Sequence, residues 1–67
     1  MLNAEKAKEI HSSENWTHIC DEIDYRIQCE LQTLKSAPIE KVPMIQQKIQ
    51  VLEQLKALPQ DVIERES

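Results

Sequence analysis

Sixty-seven residues make one domain at most, and a chain this short buries only about 60% of its unfolded surface, so it calls for a disulfide, a metal or association. A net charge of −4, from 12 acidic against 8 basic side chains, leaves no basic patch and argues against direct nucleic-acid binding. Glycine is absent, which argues against phosphate loops, tight hairpin turns and strand-rich folds, and no apolar run approaches the ~18 residues of a membrane span.

Residues 1–11, MLNAEKAKEIH, carry acids where a signal peptide needs an apolar core. They read as a short helix capped by Asn3 and built from good helix formers. Leu2, Ala4, Ala7 and Ile10 offer one narrow apolar contact. Alone, a helix this short is unstable in water. It is therefore either a frayed terminus or an arm docked on a partner or on the central helix.

The stretch 13–36 predicts the central helix. From Trp16 through Cys20, Ile23, Ile27 and Leu31 to Leu34 the steps are 4, 3, 4, 4 and 3, with Ile19 beside them. That is a helical stripe, since a strand needs steps of 2. Asp21, Glu22, Asp24, Gln28, Gln32 and Lys35 form the solvated face. Ser12 or Ser13 supplies the N-cap, Glu14 suits the positive end of the helix dipole, and Pro38 closes the stretch. Trp16, the only tryptophan, is placed to anchor either an internal core or an interface. Cys20 and Cys29 are half a turn out of phase and cannot bond within the helix. Cys20 reads as a small buried hydrophobe and Cys29 as flank or surface, which fits a reducing compartment.

Residues 37–42 read as the connection, with Ile39 and Val42 turned inward and Pro43 at the first helical position, or else with a first turn that begins as early as Pro38 and takes Pro43 near its start. A second helix follows over 43–58. Ile45, Ile49 and Leu52 make one apolar row, and Met44, Val51, Leu55 and Leu58 make another beside it. Together they span about half the circumference, wider than one neighbouring helix needs. Gln46, Gln47, Gln50, Glu53 and Gln54 occupy the other face. Lys48 lies inside the apolar sector, to snorkel or to meet a carboxylate such as Glu22 or Glu30. Pro59 stops the helix. The tail 59–67 adds a turn capped by Gln60 or Asp61, with Val62 and Ile63 returning to the helices and no apolar reason for the last four residues to be ordered.

No reaction is written in the chain. His18 and Glu22 share a helix face, but two ligands do not make a metal site, and the plain reading is a surface pair. His18 and Cys20 diverge on a helix and make no catalytic pair. The sequence therefore predicts no catalytic residue, no cofactor and no metal.

Trp16, then Glu22 and Arg26 along the first helix, then Gln47, Leu52, Leu55 and the terminal Leu58–Pro59 form a layout that resembles small helical-hairpin accessory proteins of tailed bacteriophages. The resemblance covers about two-thirds of the chain. A glycine common in the second helix of such proteins is missing, the region here reading QQKIQ. The resemblance implies a virion accessory role near the portal or head–tail connector, in several copies.

The expectation is an all-α fold: an antiparallel helix–loop–helix hairpin with a short N-terminal helix, completed by oligomerisation or by docking on a partner. Trp16, Ile23, Ile27, Met44, Val51, Leu55 and Leu58 are the expected protein-interface residues. The expected partners are a portal, capsid or connector protein, a second copy of the chain, or both, with no direct nucleic acid and no membrane. The expected location is the virion, otherwise the cytoplasm. The alternative is a small acidic phage-type inhibitor that binds a host or defence complex through Asp21, Glu22 and Asp24.

Overall fold

The computed structural model describes residues 1–66. Among them are four α-helices and no strand: α1 (Ala4–His11), α2 (Glu14–Ser36), α3 (Val42–Lys56) and α4 (Leu58–Arg65), with a 3-10 turn over Ile39–Lys41 between α2 and α3. The all-α class follows from the stripe in α2 and the absence of glycine.

Side chains rather than glycines close the helices. Asn3 caps α1, its side-chain oxygen accepting from the Lys6 amide at 2.9 Å. At the other end the Ser12 hydroxyl donates to the carbonyls of Lys8 and Glu9, at 3.0 and 3.2 Å, the first of which also accepts the Ser12 amide. Ser13, not Ser12, caps α2 by accepting from the Asn15 amide at 3.1 Å. α2 ends where Ala37 turns extended ahead of Pro38, because a residue before proline is pushed out of the helical region.

Several expectations need correction. Ile39 does not turn inward: the 3-10 turn carries its side chain out, 87% exposed, and only Val42 is half-buried. Helix α3 starts at Val42, so Pro43 sits second rather than first, still among the amides that have no helical acceptor. It ends at Lys56, short of Leu58. Pro59 does not close α3. It occupies the first turn of α4, where its missing N–H removes no ladder bond, and Ala57 serves as hinge between the two helices. The tail is thus an eight-residue helix that includes Glu64 and Arg65; Ser67 lies outside the described residues.

Packing divides into two pairs. α3 packs along α2, and α4 packs against α1; the pairs touch each other only lightly, through α1 on α2 and α3 on α4. α1 is therefore docked, but mainly on α4 rather than on the central helix. The buried apolar residues are few: Ile23 of α2 and Ile45 of α3 in one pair, Ala7 of α1 with Pro59 and Val62 of α4 in the other. Ala7 is fully buried, and its small side chain lets two short helices close together. The molecule is long and thin, 44 × 23 × 15 Å.

Candidate functional site

The two apolar rows of α3 face different ways. Ile45 is buried, and Ile49 and Leu52 are half-buried toward α2. Met44, Val51 and Leu55 are about half exposed, at 54, 54 and 48%, and Leu58 at the start of α4 is 45% exposed. A helix with apolar side chains over half its circumference can cover only one side with a single neighbour. The second row is left uncovered for that reason.

Beside this row runs an open groove of about 530 Å³. Arg26, Cys29 and Glu30 of α2 form one wall, and Met44, Gln47, Lys48, Val51 and Leu52 of α3 form the other. Its charges are unequal in state. The Arg26 guanidinium is engaged one turn back, donating from Nε to Glu22 at 3.1 Å. Glu30 and Lys48 make no ion pair among the described residues, so Lys48 meets neither of the carboxylates proposed for it. Cys29 is exposed on the wall, and Cys20 is half-buried. Tyr25, one turn before Cys29 and 64% exposed, titrates above the ordinary phenol range. The chief cause is a side-chain hydrogen bond with Cys29, followed by that thiol's charge, desolvation and Glu22.

A smaller hollow of about 330 Å³ lies where α1 meets α2, lined by Glu9, Ile10, Ser13, Asn15, Trp16 and Ile19. Trp16 is half-buried there, with Ile19 50% exposed beside it. Trp16 is thus neither core nor free anchor but part of the floor of a shallow depression.

The seven residues expected at an interface are divided by the fold. Ile23 is 4% exposed and belongs to the core, where no partner reaches it without separating α2 from α3. Ile27 is half-buried along the seam. Met44, Val51, Leu55 and Leu58 are open to solvent, and Trp16 lies nearer α1. Sequence reasoning set Lys48 near Glu22 or Glu30 but passed over Cys29; that Cys29, Glu30 and Lys48 line one groove shows only once α2 and α3 are paired.

His18 leans toward Glu14, at 3.9 Å, instead of Glu22, which Arg26 holds. No group of three or more His, Cys, Asp or Glu is placed to hold a metal ion among the described residues, and none of their helices is long and apolar enough to cross a membrane. The chain matches no family model, no curated protein and no solved structure.

Proposed function

We propose that this chain is a non-enzymatic structural protein that works by binding other protein surfaces, as an accessory component of a tailed-phage virion near the portal or head–tail connector. In this reading α2 and α3 act as an antiparallel hairpin whose outer face is completed in an assembly. The observation that supports it best is the uncovered row Met44, Val51, Leu55 and Leu58 on a chain with few buried side chains. Contiguous exposed apolar rows rimmed by polar residues mark interaction sites. The test follows a tagged chain through sedimentation of large complexes from cells that make it. Trp16→Ala and Leu55→Glu should both remove it from the heavy fractions while circular dichroism stays helical. Normal incorporation of both variants would sink the proposal.

The inhibitor reading draws on the exposed acids Asp21, Glu22 and Asp24 of α2. Two of the three already have cationic neighbours, Arg26 on Glu22 and Lys56 on Asp24, so less of that charge is available to a basic groove. For this reason the structural reading is preferred. Neutralising all three acids should leave incorporation intact under it and abolish inhibition under the alternative.

A further inference from the structure

The chain exposes more surface than its size requires. Its accessible area is 5262 Å². A compact monomer of 7.8 kDa exposes about 4,400 Å², roughly 900 Å² less. That excess is close to the ~800 Å² each partner buries in a stable interface. The radius of gyration, 14.6 Å, points the same way, since a compact chain of this length would have about 11 Å.

The groove between α2 and α3 is an opening in that surface with the shape of a helix seat. Its α2 wall, Arg26, Cys29 and Glu30, has i, i+3, i+4 spacing, and its α3 wall runs from Met44 to Leu52 with the same period. Two parallel rows at this spacing form the furrow into which a ridge of another helix packs. Ile27, Leu31, Ile49 and Leu52 on the seam are only half-buried, as they would be in a bundle missing its other layer.

Charge selects the occupant. Glu30 on one wall and Lys48 on the other are both without an ion-pair partner among the described residues. An acidic partner would oppose Glu30, and a basic one would oppose Lys48. A surface bearing one unpaired charge of each sign satisfies both when it meets its own copy about a two-fold axis, because residue i then faces j and j faces i.

We infer that a second copy of this chain docks in the α2–α3 groove with two-fold symmetry. Met44 and Val51 of each α3 sit in the groove of the other copy, and Lys48 of each pairs with Glu30 of the other. Cys29 is covered at this contact. The inference rests on the interaction reading above and names a partner for the same surface.

The test uses the full chain, by light scattering from micromolar to millimolar concentration beside circular dichroism. The wild type should reach the mass of two chains. E30K and K48E, each alone, should weaken the dimer by about tenfold or more, because each puts like charges at both bridges. An equimolar mixture of the two variants should restore it, since both bridges of the mixed dimer again join opposite charges. Alkylation of Cys29, read by mass spectrometry, should slow in the wild type as concentration rises and stay fast in either variant alone. A helical wild type that keeps single-chain mass throughout would overturn the inference, as would a mixture no better than its components. The incorporation assay with Leu55→Glu is independent of these readings, so loss of the dimer with incorporation still dependent on Leu55 rejects the second copy and leaves the interaction reading standing.

Discussion

The α1–α4 pair and the α2–α3 pair reach opposite states from opposite sequences. α1 and α4 have eight residues each, too few to be stable alone. Yet they contribute Ala7 at 0% and Val62 at 3% exposure, against 4% for Ile23 and 6% for Ile45 in the long pair. α2 and α3 have 23 and 15 residues and strong apolar patterns, yet a full row of α3 stays in water. A short helix forms only where a neighbour covers it, and apart from Leu58 at the very start of α4 the apolar side chains of α1 and α4 are buried or half-buried. A long helix has apolar surface beyond what one neighbour covers. The surplus on α3 is what a partner would use.

Dependence between the pairs is one-sided. α2 and α3 are joined by the short connection 37–41, whereas α1 and α4 lie at opposite ends of the chain. Closing a contact between distant segments costs more chain entropy than closing one across a short loop. α1 meets α4 cheaply only after α3 has packed on α2. Ile23→Ala, in the core of the long pair, should therefore cost about 2–5 kcal/mol and remove amide protection from all four helices together. Hydrogen exchange that leaves α1 and α4 protected would show that the ends pair on their own.

Ala7→Leu disturbs the short pair instead of the long one. Ala7 has no exposed surface, so added methylenes must push α1 off α4, at about 1–3 kcal/mol. Protection should fall in α1 and α4 and hold in α2 and α3. If α2 and α3 lose protection equally, the dependence runs both ways.

The same asymmetry governs what could be read from the sequence. The stripe from Trp16 to Leu34 is long enough to show its period, and both ends of α2 carry capping or stop signals at Ser13 and Pro38. α4 was not legible as a helix. Val62 and Ile63 are too few to show a period, and Pro59 reads as a stop although proline is equally at home in a first turn. Nor does α1 name its neighbour, since Ala7 is apolar enough to be buried anywhere. On α3 both rows are visible in the sequence, but which one faces α2 depends on how the helix is rotated. That choice decides whether Ile45 or Met44 is core. The sequence offered Glu22 and Glu30 alike as neighbours of Lys48, and only the pairing in space puts Glu30 on the groove wall with it.

A weaker link is the ion pair at the end of the long pair, where α3 hands over to α4. The Lys56 ammonium donates to Asp24 at 2.6 Å. This hydrogen bond, chiefly, holds Lys56 above the ordinary lysine range; desolvation pulls the other way, and the charges of Asp24, Cys20 and Asp21 add to the rise. A cation whose pKa is raised on folding contributes stability that is fully present below its unfolded value and is lost as pH rises through its folded value. Melting temperature should therefore hold through neutral pH and fall on the alkaline side of the ordinary lysine range. Tyr25 is raised as well and falls off with the same sign in an overlapping window, so the comparison is made in a Tyr25→Phe background. There, Lys56→Met should flatten the alkaline slope. An unchanged slope would show that the bridge adds nothing to the folded state. If the slope flattens and alkaline pH frees α1 and α4 amides before those of α2 and α3, the bridge acts by fixing the angle at which α3 delivers α4 to α1.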